Sequence, residues 1–302
     1  MIRRLILYLA QQKALRRWME THRFARKLTR RFVAGETLEE VLAVAAKLNA
    51  EGIFTALDHL GENVTTLKEA EGSTESYLAA LDVIAARGLP ATVSIKVTQF
   101  GMDLSETACL DNVRRLARRA KETGSRVEID MESTRYTDRT LAVAAAVAQE
   151  FGDIRCVIQA YLHRSQADVE RLNGLAIPVR LCKGAYDEPP DVAFASKRDV
   201  DANYVRLMQA LLDRGTYPAI ATHDERMIAE TLRYVEGRGI GADRFEFQML
   251  YGIRRDLQRS LIARGYRLRL YVPYGTAWYP YFMRRLAERP ANALFLARNL
   301  FR

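Results

Sequence analysis

Short runs of β-branched and aliphatic residues alternate along this chain with longer stretches of helical periodicity. Each run ends at a polar position, and these positions are Asp58, Lys96, Asp130, Gln159, Arg180 with Lys183, Thr222 with His223, Gln248 and Tyr271. Alternating strands and helices are typical of a parallel sheet, and eight such units favour a closed (β/α)8 TIM-type barrel. The active site of such a barrel lies at the strand ends, so these polar residues are the first candidates.

The hydrophobic periods and the cap signals also predict element boundaries. The predicted strands cover 53–57, 91–97, 126–129, 156–160, 178–182, 219–222, 245–249 and 267–272. The predicted helices cover 38–49, 73–87, 104–123, 140–151, 166–173, 202–214, 225–238, 254–264 and 278–288. A capping box of Thr37 and Glu40 begins the first of these helices. Two further helices are predicted within 2–34, and an amphipathic tail runs to Arg302.

The chain has 302 residues, which suits one barrel of about 250 residues with an N-terminal helical extension. We predict basic N-terminal helices at 1–50, and a catalytic barrel with a C-terminal helical tail at 51–302. No apolar stretch approaches the roughly 18 residues that a membrane span needs. The glycine motifs of dinucleotide-binding and P-loop folds are missing, which argues against those folds.

The net charge of +9 is concentrated near the N-terminus, where residues 1–31 hold ten Lys or Arg and one acid, Glu20. Such a segment suits an anionic surface, either lipid or nucleic acid. A solvated helical face beside the barrel explains it equally well. Few serines and a continuous helical pattern argue against an organelle transit peptide. We expect a cytoplasmic protein without a nucleic-acid partner, with peripheral contact to the inner face of the cell membrane left open.

The cysteines and histidines show no metal-binding spacing. The three cysteines form no CxxC pair, and the four histidines form no HxH or HxxxH pair. We therefore expect reduced thiols in a reducing compartment and no metal site.

The most aromatic stretch of the chain follows the last predicted strand and ends at Arg284 and Arg285. Two adjacent arginines near a helix start are usually solvated. Because adjacent helical residues point about 100° apart, both can converge on one carboxylate only if the helix lies across the site. Paired guanidinium forks would then bind that carboxylate, and the aromatic rings would exclude water.

Lys96 ends the second predicted strand, where a buried ammonium is costly unless it is paired. A structural salt bridge with Asp130 or with Asp58 is one interpretation. A Schiff-base nucleophile or an anion ligand is the functional alternative.

The fifth predicted strand ends in groups that suit a flat ligand. Alternation places Arg180 and Cys182 on the opposite side of the strand from Lys183. Gly184 and Ala185 would let a flat ligand approach the backbone closely.

The sixth predicted strand ends at Thr222 and His223, directly before a helix start that could hold a phosphate or a ribose. A lone histidine is as often structural. Taken together, several cations, few acids and many aromatic residues suit an anionic substrate and a planar organic cofactor.

The strand-end segments resemble the proline dehydrogenase family, a family of flavin enzymes, from Leu57 to about Asn292. The matching segments are Leu57-Asp58-His59-Leu60-Gly61-Glu62, Ser94-Ile95-Lys96, Ile129-Asp130-Met131-Glu132, Gln159-Ala160-Tyr161, Arg180-Leu181-Cys182-Lys183-Gly184-Ala185-Tyr186, Thr222-His223, Phe245-Glu246-Phe247-Gln248 and Tyr281-Phe282-Met283-Arg284-Arg285-Leu286. The short length and the basic N-terminal helices resemble the monofunctional bacterial form rather than the bifunctional fusion.

The resemblance implies roles for the matched residues. Asp130 would lie beside the active centre, and Arg180 would contact the flavin N5 region. The residues expected to bind proline are Lys96, Leu250, Tyr271, Tyr281, Arg284 and Arg285. The residues expected to bind FAD are Met131, Gln159, Arg180, Lys183, Gly184, Ala185, Lys197, Thr222, His223 and Glu288.

The implied activity is FAD-dependent oxidation of L-proline to Δ1-pyrroline-5-carboxylate, the first step of proline catabolism to glutamate. Hydride would pass to flavin N5, and the electrons would then pass to membrane quinone. A hydroxyproline dehydrogenase is an alternative, although the bulky Tyr271 would crowd a 4-hydroxyl group. A Schiff-base lyase or aldolase that uses Lys96 or Lys183, and a basic binding module without activity, also stay open.

Overall fold

The structure is a computed structural model that describes Gln12 and residues 31–288, with side chains up to Met283. Most of the two helices predicted within 2–34, and the whole tail after Glu288, therefore lie outside the described residues.

Residues 31–34 form a turn and an irregular segment, so the predicted helix is wrong there. The Ala34 amide donates to Pro273 O at 2.9 Å, and the Gly275 amide donates to Gly35 O at 2.9 Å. These two hydrogen bonds tie the segment to the end of the last strand. Backbone pairing with a distant part of the chain thus replaces local helical pairing.

Eight parallel strands form a closed barrel in which each strand pairs with its neighbour in the chain and β1 pairs with β8. The strands are β1 Phe54–His59, β2 Ala91–Lys96, β3 Val127–Asp130, β4 Ile154–Gln159, β5 Val179–Cys182, β6 Ala219–Ala221, β7 Glu246–Leu250 and β8 Leu268–Tyr274. The predicted (β/α)8 fold and its eight strands are confirmed, with small shifts at the strand ends.

Most of the described helices cover the outside of the barrel, and the last one, Trp278–Glu288, lies at the cavity. Within residues 31–288 they are α1 Leu38–Ala50, α2 Leu67–Ala86, α3 Glu106–Glu122, α4 Thr137–Phe151, α5 Ser165–Gly174, α6 Lys197–Arg214, α7 Glu225–Arg238, α8 Arg255–Ala263 and α9 Trp278–Glu288. Short 3₁₀ helices at Val97–Phe100 and Thr134–Tyr136 were not predicted. Over the same residues, no helix combines the length and the apolar character that a membrane crossing requires.

Four helices begin earlier than predicted, and the difference is largest for α2 and α6. α2 begins at Leu67 rather than at 73, behind a capping box of Thr66 and Glu69. α6 begins at Lys197 rather than at 202, behind the side-chain cap of Ser196. The first turns of both helices are mostly polar, so the apolar period that located these helices does not extend to their starts.

The strands have apolar side chains on the face toward the helices and charged side chains in the barrel lumen. The apolar core lies between the strands and the surrounding helices, and the inner face of α1 joins it through Val41, Leu42 and Ala45. The lumen instead holds buried polar side chains, which we call the lumen cluster: Glu128, Arg155, Glu246, Gln248 and Arg269.

Hydrogen bonds pair the charges of the lumen cluster. Arg155 Nη1 donates to Glu246 Oε1 at 2.6 Å and to Glu128 Oε2 at 3.3 Å. Arg269 Nε donates to Glu246 Oε1 at 2.9 Å. Burial would raise the pKa of Glu246, but Arg155 and Arg269 outweigh burial and lower this pKa to about 2. The carboxylate therefore stays charged inside the barrel because it is paired.

We expect Arg155→Met to lower the free energy of unfolding by about 3 kcal/mol or more, because it leaves two buried carboxylates without a shared partner. Urea unfolding followed by circular dichroism measures the loss. The matched control is Arg115→Met, which also removes an arginine from two carboxylates, Glu71 and Glu75, but at the surface. The control should cost less than about 1 kcal/mol. Equal losses in the two variants would contradict this account of the lumen.

Candidate active site

A cavity of about 440 Å³ opens at the carboxyl ends of the strands, within the range of about 300–1,000 Å³ typical of small-molecule sites. The predicted site residues that line it are Lys96, Asp130, Met131, Gln159, Arg180, Lys183, Gly184, Ala185, Lys197, Thr222, His223, Leu250, Tyr271 and Tyr281. The structure thus brings most of the predicted site together. The remaining three, Arg284, Arg285 and Glu288, lie on α9, and their side chains are outside the described part.

Three carboxylates surround the Lys96 ammonium. Its Nζ lies 3.1 Å from Asp58 Oδ1 and 3.3 Å from Asp130 Oδ2. The carboxylate of Glu62 lies 3.8 Å away. Burial would lower the pKa of Lys96, but these carboxylates, led by Asp58, hold it well above its usual value. Lys96 is therefore a cation, and the salt-bridge interpretation holds for both Asp58 and Asp130.

Asp130 joins three polar side chains of the site. Its Oδ2 accepts a hydrogen bond from the Tyr271 hydroxyl at 2.7 Å, and its Oδ1 accepts one from Arg180 Nη1 at 2.6 Å. The Ser94 hydroxyl donates to the same Oδ1 at 2.9 Å. Burial would raise the pKa of Asp130, but Lys96 and Arg180 together lower it. A stable anion thus orients the surrounding donors.

Both cations of this cluster lie near Tyr271, Arg180 at its ring and Lys96 at its hydroxyl. Arg180 Cζ lies 5.3 Å from the ring centroid, and Lys96 Nζ lies 5.8 Å from it. Lys96 Nζ also donates to the Tyr271 hydroxyl at 3.1 Å. These contacts, together with the bond to Asp130, hold the ring in one orientation beside the cavity.

Arg180 has a second carboxylate partner that the sequence analysis missed. Its Nη2 donates to Glu128 Oε2 at 2.5 Å. Glu128 lies two residues before Asp130 on β3, so strand alternation places both on the same face. A charged residue two positions before a polar strand end was therefore the available signal. The same spacing would have found Glu246, two residues before Gln248.

Two lysines on the cavity wall share two carboxylates. Lys183 Nζ donates to Asp201 and, at 2.7 Å, to Asp224. Lys197 Nζ donates to Asp201 and lies 3.5 Å from Asp224. Burial would raise the pKa of Asp224, but Lys183 lowers it to about 2. Two cations and two anions are thus fixed together at this wall.

Thr222 and His223 connect β6 to α7, whose N-cap is Asp224. The Asp224 amide donates to Thr222 Oγ1 at 3.1 Å. The Leu250 amide donates to His223 Nε2 at 2.8 Å, so this nitrogen acts as an acceptor. His223 therefore has a structural role between β7 and α7, and its role in holding a cofactor stays a prediction.

Gly184 packs closely against the Tyr161 ring. Its φ is 116°, a value that favours glycine. A Cβ at this position would collide with the Tyr161 ring. Gly184 also lines the cavity, and the close approach of a flat ligand at this position stays a prediction.

Glu132 and Gln159 join the ends of three strands. Gln159 Nε2 donates to Glu132 O at 2.9 Å, and the Glu132 carboxylate accepts from the Thr98 amide at 3.1 Å and from its hydroxyl at 2.7 Å. Burial raises the pKa of Glu132 to about 7. These hydrogen bonds hold the loops that follow β2, β3 and β4 in place around the cavity.

Helix α9 brings Tyr281 to the cavity. Its buried aromatic and sulfur side chains pack in a separate cluster that comprises Phe32, Val33, Leu60, Trp278, Tyr279, Tyr281, Phe282 and Met283. Positions 284 and 285 follow Tyr281 by three and four residues, so they share its face of the helix.

The described residues form no metal-binding group, and two of the three thiols are buried. No group of three or more His, Cys, Asp or Glu in residues 31–288 could hold a metal ion. Cys109 and Cys156 are buried, and burial raises the pKa of each thiol to about 12. Neither is suited to act as a thiolate nucleophile.

A family model described as proline dehydrogenase matches residues 41–298. The chain is 42% identical to proline dehydrogenase 1 of Bacillus subtilis (strain 168) over 302 residues, which cover 100% of both chains. It is also 42% identical to the proline dehydrogenase of Deinococcus radiodurans over 280 residues, which cover 91% of this chain and 90% of that one.

A solved structure gives the corresponding comparison of folds. Proline utilization A (PutA) from Bdellovibrio bacteriovorus, inactivated by N-propargylglycine, superimposes with a TM-score of 0.82 at 29% identity. The match covers 87% of this chain but 32% of that one, so this chain spans about a third of that PutA. By sequence along its full length and by the fold of its barrel, the chain belongs to the proline dehydrogenase family.

Proposed function

We propose that this protein oxidises L-proline to Δ1-pyrroline-5-carboxylate, the first step of proline catabolism to glutamate. The observation that carries the proposal is one hydrogen-bonded cluster on four strands of the barrel, formed by Lys96, Asp130, Arg180 and Tyr271. Oxidation removes a hydride from the ring carbon beside the nitrogen and a proton from the nitrogen, which leaves a C=N double bond.

The proposed hydride acceptor is FAD, whose isoalloxazine ring takes up a hydride at N5 when it is bound. The donor set of the cavity fits such a group. Lys183 and Lys197 lie at the cavity wall beside Asp201 and Asp224, and their ammonium groups are the proposed donors to phosphate oxygens. The buried Gln248 Oε1 has no hydrogen-bond partner among the described residues, so it is available as an acceptor for a ligand N–H.

We assign FAD binding to the residues expected from the family resemblance. They are Met131, Gln159, Arg180, Lys183, Gly184, Ala185, Lys197, Thr222, His223 and Glu288. The nine of them whose side chains the structure describes all line the cavity.

We assign the proline carboxylate to Lys96, Arg284 and Arg285. Lys96 is a cation at the cavity wall. The two arginine positions share the helix face of Tyr281, which itself lines the cavity. Leu250, Tyr271 and Tyr281 would pack on the pyrrolidine ring and exclude water from it.

The side chains of the cluster would orient the substrate more than they would react with it. Asp130 fixes the directions of Lys96, Arg180 and Tyr271 through hydrogen bonds and charge. Orientation of this kind supplies a large part of the rate acceleration when a substrate carbon must face its hydride acceptor. Arg180, as a cation beside flavin N5, would favour the reduced cofactor electrostatically.

The competing activities fit the geometry less well. A Schiff-base lyase needs a neutral lysine, whereas three carboxylates hold Lys96 in its charged form. A hydroxyproline dehydrogenase needs space near the Tyr271 ring, which its hydrogen bond to Asp130 holds in place. Proline is therefore the favoured substrate.

The electrons are proposed to pass from the flavin to a membrane quinone, with the protein cytoplasmic and peripheral on the inner face of the membrane. The ten Lys or Arg within residues 1–31 support the membrane contact. The division into basic helices at 1–50 and a barrel at 51–302 belongs to the same proposal.

The purified protein should be yellow, with an absorption band near about 450 nm from the bound cofactor, and anaerobic L-proline should bleach this band. A visible spectrum before and after proline is the measurement. A lyase would instead be colourless, and borohydride would trap its substrate on a lysine. A protein that stays unbleached by proline after reconstitution with FAD would overturn the proposed activity.

Arg284→Met and Arg285→Met should each raise the KM for proline by roughly 10- to 100-fold, because each removes a charge-assisted hydrogen bond to the carboxylate. FAD absorbance should be retained. Steady-state kinetics at saturating acceptor measure the effect. The control is Arg233→Met, which alters an exposed arginine that pairs with Glu230 on α7. An unchanged KM in either test variant would remove that arginine from the proposed carboxylate site.

Deletion of residues 1–31 should lower quinone reduction in anionic liposomes while leaving turnover with a soluble acceptor unchanged. Added salt should mimic the deletion, since it screens attraction between a basic segment and anionic lipid. Liposome sedimentation and quinone kinetics provide the measurements. Full quinone activity after the deletion would exclude this segment as the membrane contact.

A further inference from the structure

Glu128 is a buried acid to which neither the substrate set nor the cofactor set assigns a role. Its side chain is completely buried on β3. Its Oε1 accepts a hydrogen bond from the Thr92 hydroxyl at 2.7 Å, and its Oε2 accepts bonds from Arg180, Arg155 and Gln248. Glu128 does not itself line the cavity. Any effect it has on the chemistry must therefore pass through one of these neighbours.

Two of these neighbours, Arg180 and Gln248, line the cavity, and Arg180 is the charged one. Two carboxylates hold it on separate nitrogens. Nη1 donates to Asp130 Oδ1 at 2.6 Å, and Nη2 donates to Glu128 Oε2 at 2.5 Å. The Ser94 hydroxyl lies 3.3 Å from both nitrogens. Because the guanidinium is planar, two carboxylates on its two terminal nitrogens fix both its position and its plane.

The electrostatics of Glu128 also point to Arg180 as its main partner. Burial would raise the pKa of Glu128, but Arg180, Arg155 and Arg269, in that order, outweigh burial and hold the pKa well below its usual range. Glu128 is thus ionised and neutralises part of the Arg180 charge. In a poorly solvated lumen, the loss of one negative charge leaves its partner's positive charge largely unscreened.

We propose that Glu128 is the positioning residue for Arg180, and that its negative charge sets the strength with which Arg180 stabilises the reduced cofactor. This inference rests on the proposed flavin function. Glu128 would hold the guanidinium plane against the flavin site and limit its positive field there. Asp130 cannot replace it, because Asp130 is shared with Lys96 and Tyr271.

The test is the two-electron midpoint potential of the FAD-loaded protein. Glu128→Gln preserves the side-chain size and removes the charge. The equilibrium constant for reduction should therefore increase tenfold or more, which corresponds to a rise in potential of about 30 mV. The matched control is Glu246→Gln, which alters an acid that shares Arg155 and Gln248 with Glu128 but does not pair with Arg180. The control should shift the equilibrium less than threefold.

A second pair of variants covers the case in which the buried glutamine prevents folding. Glu128→Asp keeps the charge but withdraws the carboxylate from Arg180 by about one C–C bond, roughly 1.5 Å. The potential should rise again, by less, and Glu246→Asp should leave it unchanged. Equal shifts in the Glu128 and Glu246 variants, or no shift in the Glu128 variants, would overturn the inference. If the wild-type protein binds no FAD, the proposed function itself fails.

Discussion

Ion pairing inside the barrel is the constraint on which the rest of this structure depends. Buried charges of alternating sign run from the lumen to the cavity in the order Arg269, Glu246, Arg155, Glu128, Arg180, Asp130, Lys96 and Asp58. Successive members lie between 2.5 and 3.3 Å apart. A single unpaired charge in such a place costs several kcal/mol. The chain of pairs therefore constrains every member through its neighbours.

The series of ion pairs ends at the cavity, where its cations can act on a ligand. Lys96 and Arg180 keep their positive charges because they are paired below and beside the cavity. Their carboxylate partners also limit their movement, so a ligand meets cations whose directions are already set. Such preorganised charges are effective in catalysis because little reorganisation is needed when charge develops. The polar lumen is in this sense the support for the proposed site.

The barrel itself was predictable because its signals are local. The strand runs, the polar residues at their ends and the cap of α1 at Thr37 each involve a few adjacent residues. One error has a local cause and the other has a non-local cause. The start of α2 at Leu67 lacks an apolar period, and residues 31–34 pair with the end of β8 instead of forming a helix.

The sequence alone determined the eight strand–helix units, the polar residues that end the strands, and the family resemblance that assigns them roles. Only the tertiary structure decided which charges pair inside the barrel. Glu128, Arg155 and Glu246 lie on β3, β4 and β7. The local sequence around each residue does not identify the residue with which it pairs. Their contacts follow from barrel closure and strand register, which are non-local properties. The hydrophobic period that predicts a strand or a helix depends on residues adjacent in sequence, whereas a buried ion pair depends on residues adjacent in space.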